Sequence, residues 1–148
     1  MNPIRTSIVV EAPPEAVWTE LAEISDHVEW MADAEAITFT TDQRSGAGTA
    51  FECVTRVGPI RLLDVMEITE WQPEISMGVR HVGLVTGDGR FTLAGAGPGS
   101  TLVTWTESLS FPWWMGGRLG AWAARPVLGL IWRGNLRRLK GRIEPSAA

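Results

Sequence analysis

The chain has one cysteine, two histidines and no tyrosine, and only 20% of its residues are charged. Each scarcity excludes something. Cys53 alone allows no intrachain disulfide, which favours a reducing, cytoplasmic setting. Cys53, His27 and His81 are too few soft ligands for a typical zinc site, so no metal is expected. The motifs G-x-S-x-G, H-E-x-x-H, Walker A and C-x-x-C are all absent. Gly46-Ala47-Gly48 and Gly95-Ala96-Gly97-Pro98-Gly99 are rich in glycine, yet neither completes G-x-G-x-x-G. Both read as turns, and no cofactor is expected. Met1–Arg5 lacks the apolar stretch of a signal peptide. The apolar stretch from Leu109 to Trp132 is interrupted by Arg118, Arg125 and several glycines, which argues against a membrane span and for a soluble protein.

What is present is a chain of 148 residues, 45% of them hydrophobic, with eight tryptophans and sixteen glycines. That length suits one domain, residues 1–148, with a sizeable core. Eight broad, flat apolar side chains imply either a thick core or an aromatic-lined pocket. The net charge of -4 hides an asymmetry. From Arg118 onward seven Arg or Lys face a single acid, Glu144, whereas the preceding residues carry six bases against sixteen acids. The bland reading is salt bridges and a solvated helix face; the sharper one is attraction of an anionic ligand or membrane surface. An acidic body without a recognised binding motif argues against nucleic acid.

Ile4–Ala12 reads as a first strand, with Ile8, Val10 and Ala12 on one face. Pro13-Pro14-Glu15 stops it and starts a helix, since proline suits the first turn and Glu15 the positive helix end. Val17, Trp18, Leu21 and Ile24 follow at helical spacing. Ser25-Asp26 reads as the cap of a short second helix ending near Trp30. The period then changes to two, which predicts strands at Glu35–Thr41, Thr49–Val57, Ile60–Trp71, Ile75–Val82, Gly89–Ala94 and Thr101–Phe111. The intervening turn residues imply an antiparallel meander. Gly117–Glu144 is helical in pattern, with Leu128, Trp132, Leu136, Leu139 and Ile143 on one stripe and Arg133, Arg137 and Lys140 roughly opposite. Pro126 should kink this helix.

Three segments carry a family resemblance. VEAPPEAVW (Val10–Trp18) resembles the opening motif of SRPBCC proteins, the polyketide cyclase/dehydrase-like branch of the START/Bet v1-like superfamily. EITEWQP (Glu67–Pro73) resembles the strand-ending motif there, and STLVTWTESL (Ser100–Leu109) the last strand. The resemblance runs nearly end to end. It implies an α+β helix-grip fold of order β-α-α-β6-α, a curved seven-stranded antiparallel sheet wrapped around a long C-terminal helix. Lipid carriers, hormone receptors and cyclases share that fold, so it implies an apolar cavity rather than one reaction.

In an antiparallel strand alternate residues share a face. Asp64 therefore shares the face of Ile60, Leu62, Met66 and Ile68. His81 goes with Ile75, Met77 and Val79, and Glu107 with Val103, Trp105, Leu109 and Phe111. Ionisable groups on inner faces are costly unless paired, which makes Asp64, His81 and Glu107 the candidate catalytic residues. As an acid–base set they suit enolisation or dehydration of a polyketide-like substrate. A bulge or a register slip would instead turn them outward. Glu107 is expected either to pair with His81, Arg90 or Arg125 or to be protonated.

The expected ligand-binding residues are Trp30, Phe51, Asp64, Met66, Met77, His81, Phe91, Trp105, Glu107 and Trp122. The Trp-rich segment Phe111–Gly117 either caps the open end of the sheet or forms a glycine-hinged gate touching a membrane. The leading function is binding of a small hydrophobic or aromatic molecule (polyketide-like, lipid or isoprenoid) by a monomer or homodimer. Two alternatives are a cyclase, aromatase or dehydratase and a lipid carrier at a membrane surface.

Overall fold

Residues 3–144 are described by the computed structural model, in which the period-two stretches become strands. These are β1 (Ile4–Val10), β2 (Ala34–Phe39), β3 (Ala50–Val57), β4 (Ile60–Gln72), β5 (Ser76–Val82), β6 (Thr86–Gly95) and β7 (Thr101–Ser110). They form one antiparallel sheet in the order β1-β7-β6-β5-β4-β3-β2. Chain neighbours from β2 to β7 pair directly, as their short connections require. β1 joins the far edge beside β7, from Ile4↔Glu107 to Val10↔Thr101. The helices are α1 (Pro14–Ala22), α2 (His27–Trp30) and α3 (Gly117–Ile143), giving the expected β-α-α-β6-α order.

Local chemistry explains most boundaries. Pro14 occupies the first turn of α1 with Glu15 beside it, and Val17, Trp18 and Leu21 are buried. The expected Ser25-Asp26 cap does not form: a 3₁₀ turn over Ile24–Asp26 leads into α2, which has no side-chain cap. Ser25 instead donates to Glu23, 3.1 Å away. β6 starts at Thr86, earlier than alternation from Gly89 suggested, because Gly87 and Gly89 both pair in the ladder. In β4 the pairing shifts between Ile68 and Glu70. That bulge changes which face follows: strict alternation from Asp64 would turn Glu70 inward, but Trp71 packs against the core instead, 5.2 Å from Trp18.

The helix α3 runs over Gly117–Ile143 with Pro126, the residue expected to kink it, inside it. Proline leaves the Trp122 carbonyl without its usual donor. Trp132, Leu136 and Leu139 are buried, Leu128 and Ile143 are partly buried, and Arg133 and Arg137 face outward. Trp132 stacks on Trp105 of β7 at 5.1 Å and 24°, which fixes the helix against the sheet. Among the described residues no helix is long and apolar enough to cross a membrane.

The basic tail is largely tied down. Arg142 pairs with Glu20 at 2.5 Å, and Lys140 pairs with Glu144 while donating to the Val9 carbonyl at 2.8 Å. Arg138 donates to the Trp30 carbonyl and to Asn135.

The buried Trp132 stripe makes a direct prediction. Trp132→Ala should cost about 3–5 kcal/mol of unfolding free energy in a denaturant titration. Arg137→Ala, on the outward face, should leave the midpoint unchanged.

Candidate functional site

Seven strands curve around one side of α3, and large flat rings between them cannot fill all the space. The gap is a cavity of about 200 Å³. Phe51, Met66, Met77, Phe91 and Trp105 line it from the sheet, and Ala124, Leu128 and Trp132 from α3. Val57, Ile60, Val85 and Met115 line it as well, from the β3–β4 and β5–β6 turns and the segment before α3. This is less than the several hundred Å³ of common ligand pockets. An apolar cavity of about 150 Å³ holds benzene, so the space fits a molecule of one or two rings.

One corner of this apolar space is ionic. His81 on β5 stands opposite Met66 of β4, and Asp64 lies two residues along on the same face. The Nδ1–H of His81 donates to Asp64 at 2.9 Å (Oδ2) and 3.1 Å (Oδ1). On its other side Nε2–H donates to Glu107 Oε1 of β7 at 3.1 Å. All three side chains are buried and all three line the cavity. The imidazole therefore carries both protons and bridges two carboxylates.

Glu107 and His81 are not on neighbouring strands, because β6 runs between them. Across the ladder, Gly87 faces His81 and Gly89 faces Glu107. Gly89 has no side chain, which leaves a gap on the inner face of β6 that the Glu107 side chain crosses. A Cβ on Gly89 would stand 2.6 Å from Glu107 Oε1 and 2.7 Å from its Cγ. Gly89 is thus the positioning residue that sequence reasoning missed. Its signal was a glycine inside a strand, which often marks a close approach.

Burial alone would lower the proton affinity of His81. The hydrogen bonds and charges of Asp64 and Glu107 outweigh it and raise the pKa to about 10. His27, also on the cavity wall, behaves oppositely: burial holds it below its usual value, and its Nε2–H donates to the Leu21 carbonyl at 2.8 Å. Burial likewise pushes the Cys53 thiol up to about 11, so it stays protonated. Asp33, raised by burial, accepts from Asn135 at 2.9 Å. Both His81 nitrogens hold protons toward carboxylates, so neither presents a lone pair to a metal. Among the described residues no group of three or more His, Cys, Asp or Glu is placed to hold one.

The structure brings Phe51, Asp64, Met66, Met77, His81, Phe91, Trp105 and Glu107 to one cavity. Two expected residues are corrected. Trp122 is 68% exposed and points away from it, because α3 puts Ala121 and Ala124 on the inner side. Trp30 is fully buried but lies in the core rather than on the wall, edge-on to Phe91 at 6.0 Å and Trp105 at 6.2 Å. Of the three partners considered for Glu107, His81 is the one found. Arg90 instead turns to Glu70 at 2.6 Å, and Arg125 donates to the Pro3 carbonyl at 3.4 Å.

Comparisons agree with this architecture. Residues 1–144 match a family model described as polyketide cyclase/dehydrase and lipid transport. No curated protein matches the chain. Among solved structures, a protein of Thermus thermophilus superposes with a TM-score of 0.79 at 18% identity, covering 95% of this chain and 96% of its own. A START superfamily protein from Mycobacterium smegmatis gives 0.77 at 11% identity, covering 97% of each chain. The Zhui aromatase/cyclase from a Streptomyces species gives 0.73 at 16% identity, covering 95% and 92%. At these identities the likeness is one of fold.

The ionic corner sets a pH dependence. His81 binds its proton more firmly in the folded chain, so its stabilisation is complete below its ordinary pKa of 6.5 and is lost as pH rises through about 10. Unfolding free energy should therefore fall between those limits, by an amount on the order of a few kcal/mol. Gly89→Ala, by pushing Glu107 aside, should flatten that fall and shift the His81 imidazole titration downward in an NMR pH series. An unchanged His81 titration in the folded variant would remove Gly89 from this role.

Proposed function

Because the chain belongs to the polyketide cyclase/dehydrase and lipid transport family, we propose that it binds one small hydrophobic or aromatic molecule in the cavity between sheet and α3. The observation that carries this reading is a mostly apolar cavity with the Asp64–His81–Glu107 bridge on its wall, the arrangement of a site that buries an apolar body and orients a polar group. Size favours compounds of one or two rings over long acyl chains.

A cyclase, aromatase or dehydratase reading would use the same trio as acid and base, and the Zhui aromatase/cyclase lends it a precedent on this fold. Proton transfer near neutral pH needs a group poised near that pH. His81, raised to about 10 with both N–H groups engaged, is held away from it. The trio is better suited to anchoring a ligand than to exchanging protons with it.

A specific observation favours membrane-surface delivery as a second reading. Trp113 is 87% exposed, and Trp114 beside it and Leu119 and Trp122 in the first turns of α3 are exposed as well. Leu84 and Ile60, at turns beside the cavity, are also exposed. Exposed tryptophans beside Arg118 suit the interface of an anionic bilayer.

Two measurements test these readings. A neutral naphthalene probe should bind saturably and one to one, and Leu128→Trp, which projects a ring into the cavity from α3, should abolish binding without unfolding the chain. Non-saturable binding, or full binding by that variant, would dismiss the cavity. Co-sedimentation with phosphatidylglycerol vesicles should be strong for the wild type and lost in Trp113→Ser/Trp114→Ser; equal sedimentation of both would dismiss membrane delivery through this segment.

A further inference from the structure

We propose that the ionic corner selects ligands presenting a hydroxyl or other neutral hydrogen-bond donor on an apolar body and rejects carboxylates, an inference that rests on the cavity-binding reading above. The reason is hydrogen-bond stoichiometry. Asp64 and Glu107, which both line the cavity, have four oxygens between them, and His81 supplies two N–H groups. Both Asp64 oxygens share one of them, and Glu107 Oε1 takes the other. Among the described residues no protein donor reaches Glu107 Oε2. A carboxylate has about four lone-pair sites to fill, so acceptor capacity is left over on the wall of an otherwise apolar space.

The remaining polar groups deepen this imbalance. The His27 Nε2–H goes to the Leu21 carbonyl, which leaves Nδ1 of the neutral ring as a further acceptor. Asp33 accepts from Asn135. The Thr55 hydroxyl donates to Cys53. Arg90, although it borders the cavity, sends its guanidinium outward to Glu70. His81 is therefore the cation hydrogen-bonded to both carboxylates, while Arg125, beside Glu107 in a second, smaller cavity, donates to the Pro3 carbonyl.

An apolar occupant without a polar group would cover Oε2 and leave it without any donor. An occupant with a hydroxyl would donate to Oε2 and remove that penalty. A carboxylate would bring a third negative charge and more acceptors to a place already rich in both. Fatty acids and aromatic acids are thus poor fits, whereas phenols and alcohols are good ones.

Calorimetric or tryptophan-quenching titrations at pH 7 test this, using 2-naphthol, 2-methylnaphthalene and 2-naphthoate with the wild type, and the same series with Glu107→Gln. These probes share one ring system and differ in the group presented to the corner. The wild type should bind 2-naphthol at least about tenfold tighter than 2-methylnaphthalene, and at least about tenfold tighter than 2-naphthoate. Glu107→Gln should shrink both preferences to below about threefold. If 2-naphthoate or 2-methylnaphthalene matches 2-naphthol in the wild type, the cavity binds but this selectivity is refuted. If none of the three binds saturably, the cavity-binding reading itself fails and the inference falls with it. The wild-type ranking decides the proposal even where the variant does not fold.

Discussion

The structure depends on one buried ion bridge: His81 held between Asp64 and Glu107, reaching from β4 through β5 to β7. Taking three ionisable groups out of water is expensive, and only mutual hydrogen bonding offsets it. The geometry needed is demanding, since Glu107 has to cross an intervening strand. The sheet meets that demand with an absence, the missing side chain at Gly89. Two glycines within a strand weaken it locally. Any Cβ at Gly89 would occupy the space of the Glu107 side chain, whereas Gly87, at φ +135°, has a backbone conformation that other residues rarely adopt and lies against the Ser108 carbonyl.

Around this bridge the aromatic residues divide into two roles. Trp30, Phe91, Trp105 and Trp132 pack at centroid distances of 4.8 to 6.2 Å in tilted, stacked and edge-on pairs. Rings in such pairs are rigid, and rigid rings leave gaps that flexible side chains would fill. Met66 and Met77 complete the wall with softer surface. Trp113, Trp114 and Trp122 stay outside, so the high tryptophan content signals a core, a cavity and an exposed patch together.

Alternation along the strands was enough to read the inner faces, because the sheet has one buried side and a period of two. It grouped Asp64, His81 and Glu107 with apolar neighbours while leaving an outward turn open, and His81 was among the partners considered for Glu107; the structure has all three on the cavity wall. Four features were hidden by their physics. The β4 bulge exchanges Glu70 for Trp71 and leaves no mark in a local pattern. Trp122 lies four residues before a proline, where the phase of the later apolar stripe does not extend backward. Trp30 ends a four-residue helix too short to define a face. Asn135, fully buried, is polar by type yet holds the Ala32 N–H and Asp33, which joins α3 to the start of β2. Each of these depends on contacts distant in the chain.

The same atoms that hold the sheet together also face the ligand space, and this couples folding to binding. Removing one member of the bridge would leave another charge buried without its partner, a far larger penalty than the intact bridge's net benefit. Substitutions at the corner therefore act on stability and on recognition at once, and affinity has to be compared among folded variants. The coupling also runs the other way. Glu107 Oε2 has acceptor capacity that the described residues do not fill, so an occupant that donates to it lowers the energy of the folded state alone. Binding to the native chain and not to the unfolded one stabilises it by mass action. A fold that tolerates a glycine gap and an unfilled carboxylate acceptor when empty is thus one whose stability rises most with the occupant that its ionic corner is built to accept.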